Sequence, residues 1–560
     1  MLHLQDDITE AARPEHGRST RGRRGVRGRG GARGRGVARA RRVRPVDDAN
    51  RQLESQWQVV DDSGTLRPAS RFRPAKPPGI QSGINHETSV IETFRTLFTD
   101  KIFDDLTKFI NEYAVQKTAT SLPARRRSVI YQWRPVTINE MKKFLAVLIA
   151  MGITKRPTIK DYWTINPVEE CSWYSQMFPR ERFEAIYHTM LHVSSGEAEG
   201  KEKIEPFLND MVKNFQASYY PYENLAIDEM VIGYNGRWKN KQYNASKPKK
   251  YHIKTFGLCD SVTGFVYNIL MYFGSNTSYN PELDPNYLEA IKVFEYLLRD
   301  VGPGHHIYAD RYYTSLNLIR FLQTKSFHYT GTVNINRIGF PAPIRTKTLK
   351  LAHREHQNFV TPDEDLLCVA WRDKKAKKYC TVTSTYHNAE QLEVQRKREA
   401  VTMPSVIAAY NKSMNGCDRL DQAVSYYSQF SRKTVKWWKR VFLWILEVVQ
   451  VNAHILYVLS HPDEKMPLLK FKRTLIDQLC DEVVVSDEHE EPKTKKGRPS
   501  INPVIQRLSN EKHLIVYSED HRNCKVCSTP DKRCRTSFKC KQCDCYLHPK
   551  VCFEQYHTVP

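Results

Sequence analysis

From Asn224 onward the chain changes character, and that change constrains its fold more than any other feature. "NLAIDEMVIGY", "YHIKTFGLCD" and "GFVYNILMYFG" are short apolar runs bounded by turn signals, the last two flanking "SVT" as a hairpin. "EAIKVFEYLL" then has helical spacing, "HHIYAD" follows the breaker "GPG" as a further strand, and the helical "SLNLIRFL" precedes the strand "YTGTVN". Strand, strand, strand, helix, strand, helix is the order of an RNase H-like α/β core. In that order the first and fourth strands lie side by side, which brings Asp228 next to Asp310.

A third carboxylate, Asp418, opens the helical stretch "GCDRLDQ", with Asp421 one turn further on and facing the same way. A lone aspartate in a strand is ordinarily a surface carboxylate. Asp310 differs because it ends a strand just before a helix, the edge where α/β sheets place ligands. Carboxylates gathered there repel one another unless a cation lies between them, and hard oxygen donors suit Mg²⁺. Two such ions roughly 3.5–4 Å apart activate an attacking oxygen and stabilise the leaving oxygen of a phosphodiester. The candidate chemistry is DNA or RNA strand cleavage and transfer.

The rest of the chain divides around this core. Residues 1–83 read as a disordered Arg/Gly-rich tail, with order beginning near Ile84. Twelve arginines and no acid lie between Arg18 and Arg44, and these supply half of the net charge of +24. Residues 84–220 form the first part of an all-helical platform, with Phe94, Leu97, Phe98, Ile102, Phe103 and Leu106 at helical spacing. The core occupies 221–334 and 396–427. Between these, 335–395 is a small insertion domain, a β-hairpin whose turn is the lysine-rich "KKAKK". Residues 428–480 return to the platform, and 481–520 are a charged linker. Within it Lys496-Gly497-Arg498-Pro499 has the core of an AT-hook or of a nuclear-localisation cluster. The most apolar stretch, 441–459, carries Glu447, Gln450, Asn452 and His454 and reads as a buried helix rather than a membrane span. No apolar run opens the chain as a signal peptide would.

The charge left after removing the tail is still positive, so nucleic acid is the expected partner. Basic residues beside the core are candidates for phosphate contact: Lys247, Lys249, Lys250 and Arg311. Arg432, Lys433, Lys436, Lys439 and Arg440 interleave with Trp437 and Trp438, whose indoles are candidates for stacking on distorted bases. Seven of the 13 cysteines crowd into 524–552, a pattern of reduced thiols around a metal. Cys524, Cys527, Cys540, Cys543, His548, Cys552 and His557 suit two structural Zn²⁺ ions in a cross-braced domain over 521–560, with Cys534 or Cys545 as the eighth ligand. Cross-brace spacing alone also suits a ubiquitin ligase or histone-tail reader, but that leaves the aspartates unexplained.

The sequence resembles the piggyBac family of DNA transposases. The matching pieces are "LAIDEMVIGYNGR", "SKPKKYHIKTFGLCDSVTG", "YADRYYTSLNL", "GCDRLDQ" and "RKTVKWWKRVF", with "FLAVLIAMGITKRPTIKDYW" upstream and "CFEQYHT" at the end. The resemblance covers about 85–460 and 521–560. It implies a homodimeric cut-and-paste enzyme, acting in the nucleus on double-stranded DNA between terminal inverted repeats at TTAA sites. A freed 3′-hydroxyl would make a hairpin end. It implies that Asp228, Asp310 and Asp418 carry the metal-binding set, with Asp421 as a further acidic position, and that the cysteine-rich domain recognises transposon-end DNA. The alternative is a host gene that has kept the DNA-binding surfaces and retired the chemistry.

Overall fold

The computed structural model describes residues 50–69, 71–120, 133–245, 247, 249–396, 399–428, 434–487, 513–529 and 532–558. Arg432, Lys433, the Arg/Gly tail before residue 50 and the Lys496–Pro499 cluster lie outside these. Sixteen strands are described: β1 Gln58–Val60, β2 Gly79–Ile80, β3 Tyr219–Tyr220, β4 Asn224–Gly233, β5 Gln242–Tyr243, β6 Tyr251–Asp260, β7 Val266–Met271, β8 His306–Ala309, β9 His328–Thr332, β10 His356–Val360, β11 Leu367–Trp371, β12 Cys380–Ser384, β13 Gln391–Arg396, β14 Glu399–Pro404, β15 Ile515–Asn523 and β16 Arg535–Cys540. The helices that matter below are α1 Val90–Leu97, α2 Asp100–Thr120, α3 Ile138–Ile153, α4 Glu205–Ser218, α5 Glu289–Leu298, α6 Leu316–Thr324, α7 Ser405–Ser413, α8 Gly416–Tyr426, α9 Trp437–Ser460, α10 Leu468–Asp487 and α11 Val551–Thr558.

One ten-stranded sheet runs β1-β10-β11-β12-β9-β8-β4-β6-β5, with β7 also paired to β6. β4 and β6 are antiparallel, whereas β4, β8 and β9 are mutually parallel, with Ile227 opposite Ala309 and Ala309 opposite Gly331. Side chains alternate across a strand. Leu225 and Ile227 therefore enter a core made with α5 and α6, while Met230 and Ile232 enter a second core made with the helical platform. Asp228 shares the parity of Met230 and faces the platform side.

The platform is not a separate body: its helices and one face of the sheet share a single apolar core. Ser89 caps α1 through a capping box with Glu92. α9 is long and apolar enough to cross a membrane by composition, but 83% of its most apolar window is buried among these helices. Two of its buried polar side chains, Asn452 and Glu447, are paired inside the fold. Asn452 Oδ1 accepts from the Val266 amide at 3.0 Å and its Nδ2 donates to the Val266 carbonyl at 2.9 Å, pinning α9 to β7. Glu447 pairs with Lys472 of α10 at 2.5 Å, both side chains 1% exposed.

Four expected boundaries move. Order begins before Ile84: Glu54 pairs with Arg345 at 2.6 Å, Trp57 Nε1 donates to the Gly339 carbonyl at 2.9 Å, and β1 pairs with β10. Those few anchoring residues are hidden by the proline and charge around them, and the edge strand β10 gains a partner. The 335–395 insertion is not a separate domain, because β12 pairs with β9 and extends the central sheet, and Phe359, Cys368 and Ala370 join the α5/α6 core. Its second hairpin, β13–β14, runs to Pro404, past the expected boundary at 395. α10 runs beyond 480 because Glu482 pairs with Arg95 at 3.0 Å and Lys142 at 2.7 Å.

Removing one partner of a buried ion pair leaves the other charge uncompensated. Glu447→Ala should therefore lower unfolding stability by roughly 3–5 kcal/mol, whereas Glu447→Leu with Lys472→Met should recover most of the loss. Chemical denaturation of the three proteins checks this.

Candidate active site and zinc module

The register of β4 and β8 sets Asp228 and Asp310 side by side, one residue past the Ile227–Ala309 pair and on the same face. α8 covers that face. It approaches closely because residue 416 is glycine: a Cβ there would lie 3.1 Å from Cys259 Cβ and 3.3 Å from Ala226 Cβ. The next residue, Cys417, is buried with its Sγ 3.2 Å from that of Cys259. Asp418 follows on this anchored first turn, and Asp421 lies one turn further along. The motif "GCD" thus supplies, in order, the close approach, the packing contact and the carboxylate.

Two of the four carboxylates, Asp228 and Asp421, are raised by burial and by their neighbours. Burial, then Asp418 and Asp310, push Asp228 up to about 6. Burial, then Asp418 and Asp228, push Asp421 up to about 7, against the opposing pull of Lys249 and Lys247. Asp310 is held in place: its Oδ1 accepts from the Arg311 amide at 2.5 Å and from Thr332 Oγ1 at 3.0 Å. Tyr410 Oη of α7 lies 3.4 Å from Thr332 Oγ1. Burial, then Asp310, Asp228 and Asp418, raise the Tyr410 phenol. Neither Thr332 nor Tyr410 is marked in the sequence, because Thr332 joins the site through long-range register and Tyr410 through the packing of α7 against it. Thr332 aligns with Asp310 only once β8 and β9 are paired.

The basic candidates separate into two kinds. Lys250 and Arg311 are exposed. The Lys249 stem lies across Gly233, where a Cβ would meet its Cδ at 2.4 Å. Lys247 and Lys249 stand close enough to Asp421 to act on its charge. Arg440 Nε donates to the Gly233 carbonyl at 2.8 Å, and burial pulls the guanidinium down to about 10. The α9 start departs from expectation. Trp438 and Lys439 are 5% and 2% exposed, so neither is placed to touch DNA. Trp437 stacks on Trp238 at 4.8 Å and meets Phe273 edge-on, and Lys436 lies half-buried over the Tyr113 and Trp438 rings. Lys439 Nζ donates to the Tyr187 carbonyl and to that of His188 at 3.5 Å. Those carbonyls belong to the π-turn Ala185–Met190, and burial pulls the ammonium down to about 7.

The cysteine-rich segment gathers two quartets, each with its donor atoms within 4.8 Å of one another: Cys524, Cys527, His548 and Cys552, and His513, Cys540, Cys543 and His557. Their chain order interleaves, as a cross-brace requires, and soft thiolate with imidazole fits tetrahedral Zn²⁺. His513, rather than Cys534 or Cys545, completes the second quartet. β15 pairs with β16 with Ile515 opposite Cys540, which carries His513 to that site, so the domain begins before residue 521. The aspartates do not close to such distances among the described residues.

Two outcomes follow. His513→Ala should drop bound zinc from two ions per chain toward one, while Cys545→Ala should leave the metal content unchanged, as elemental analysis would read. Lys439→Met should cost about 1–3 kcal/mol through unsatisfied buried carbonyls, seen by thermal melting. It should leave the salt dependence of DNA binding unaltered, because Lys439 meets no phosphate.

A family model described as Transposase IS4 matches residues 89–454. Human PiggyBac transposable element-derived protein 3 is 24% identical over 519 residues, covering 90% of this chain and 81% of its own. Human PiggyBac transposable element-derived protein 2 is 23% identical over 518 residues, covering 88% and 80%. Among solved structures, a piggyBac transposase in a synaptic complex with hairpin DNA, determined by cryo-EM, has the same mixed α/β fold. It superposes with a TM-score of 0.63 at 20% identity, covering 84% of this chain and 97% of that one. The chain belongs to the piggyBac group of the IS4 transposase family.

Proposed function

We propose that the chain is a DDD-type DNA transposase with an RNase H-like core, excising and integrating double-stranded DNA at TTAA sites through hairpin ends. It would act as a homodimer in the nucleus. The observation that carries this reading is the row formed by Asp228 of β4 and Asp310 just past the end of the adjacent parallel β8, roofed by Asp418 and Asp421 of α8.

An all-carboxylate donor set suits Mg²⁺, and a divalent cation would offset both the burial that chiefly raises Asp228 and the lesser repulsion from Asp418 and Asp310. Asp228, Asp310 and Asp418 would hold Mg²⁺, which when bound supplies activation of the attacking oxygen and charge stabilisation of the leaving one. The chain's own groups do the rest. Thr332 and the Arg311 amide fix the orientation of Asp310. Lys247 and Lys249, beside Asp421, offer positive charge to the backbone on either side of the scissile phosphate. The cysteine-rich module, held by zinc, supplies a DNA-end recognition surface.

The relatives named as transposable element-derived favour one competing reading, a co-opted DNA-binding protein whose carboxylates no longer turn over. Plasmid excision in cells, with the repeats flanking the gene as substrate, separates the two. Wild type should restore TTAA at the donor site, and Asp310→Ala should reduce excision by at least ~100-fold, the scale of losing a group that acts in the transition state. Excision untouched by Asp310→Ala contradicts the catalytic assignment. No excision by wild type, with end binding intact, favours the co-opted protein.

A further inference from the structure

Registers place the lysine-rich turn after β11 at the same edge of the sheet as the aspartates. Asp310 aligns with Thr332 on β9, since Ala309 pairs with Gly331, and Thr332 pairs with Val382 on the antiparallel β12. β12 therefore enters the sheet from the edge at which β8 delivers Asp310. Tracing β12 back through Cys380 leads to Lys378 and Lys377 beyond that edge. Two strand spacings across and four residues along put Lys378 about 16 Å from Asp310, or roughly five base pairs of duplex.

The turn is built to hold its shape. Ala376 donates to the Asp373 carbonyl at 3.0 Å, and Arg372 Nε donates to the Ala376 carbonyl at 3.2 Å. At its base Arg396 pairs with Asp373 at 2.9 Å, and Glu399 of β14 takes both Arg354 at 2.7 Å and Lys374 at 3.3 Å. The acids near the turn are thus engaged by Arg354, Lys374 and Arg396. Lys375, Lys377 and Lys378 are exposed, and among the described residues none of the three has a carboxylate partner. Three like charges fixed on a rigid turn at the reactive edge fit a polyanion of regular charge spacing.

We propose that Lys375, Lys377 and Lys378 form a phosphate-binding prong that holds the DNA duplex about five base pairs from the bond cut at Asp310. This rests on the reading of the chain as a DNA transposase and adds to it a specific second grip on the duplex. The contact is to backbone only, so it carries no sequence preference.

The test is fluorescence-anisotropy binding of the full chain to a duplex of about 30 base pairs carrying one TTAA, over a series of KCl concentrations. Three proteins are compared: wild type, the triple variant Lys375→Gln/Lys377→Gln/Lys378→Gln, and a control triple variant Lys101→Gln/Lys108→Gln/Lys213→Gln. The control lysines are exposed but each has an acidic neighbour, Asp105, Glu112 and Asp210. Removing three phosphate contacts should lower the slope of log affinity against log salt by roughly 2–3, with an unchanged melting temperature and an unaltered slope in the control. Equal slopes for wild type and the turn variant, with tight binding by both, overturn the prong and leave the transposase reading standing. Equal losses in both variants overturn it as well, by reducing the effect to overall charge. Failure of wild type to bind duplex DNA overturns the prong and the transposase reading together.

Discussion

The parallel pairing of β4 with β8 is the constraint on which the rest depends. With Ile227 opposite Ala309, two apolar residues seal the α5/α6 side, and the next pair, Asp228 and Asp310, must project to the other. A slip of one residue would send the carboxylates of one strand into the apolar core. Everything placed around this pair serves to hold it: α9 is tied to β7 by Asn452, α8 is seated on the sheet by Gly416 and Cys417, and β9 supplies the hydroxyl that orients Asp310.

Charge in this molecule is sorted by desolvation. Lys439 and Arg440 spend their donors on backbone carbonyls inside the fold, and burial pulls both away from their ordinary range. Lys250, Arg311, Lys375, Lys377 and Lys378 are instead exposed. A basic stretch such as "RKTVKWWKR" gives no hint of that division. It follows from which face of α9 the tryptophans bury, and Trp437 and Trp438 find aromatic partners within the protein.

What was legible in the sequence was local. The strands around Asp228 and Asp310 and the turn of helix carrying Asp418 declare themselves through apolar patterning and neighbouring turn residues, and the CxxC pairs through their spacing. What was not legible depends on pairing across long separations. His513 lies 27 residues before Cys540 and meets it only through the β15–β16 hairpin. The union of the insertion with the core rests on three β9–β12 residue pairs, and the ordering of residues 50–66 rests on single anchors such as Trp57. Thr332 and Tyr410 are ordinary residues in sequence and acquire a role only from register and packing.

The central claim is that the carboxylates of β4, β8 and α8 act as one cation site. Titration of Mn²⁺ into zinc-loaded protein, followed by electron paramagnetic resonance, tests it most directly. The account predicts saturable Mn²⁺ binding that is lost in Asp228→Asn and in Asp418→Asn, with zinc content unchanged in both. Mn²⁺ binding that survives both substitutions would contradict it.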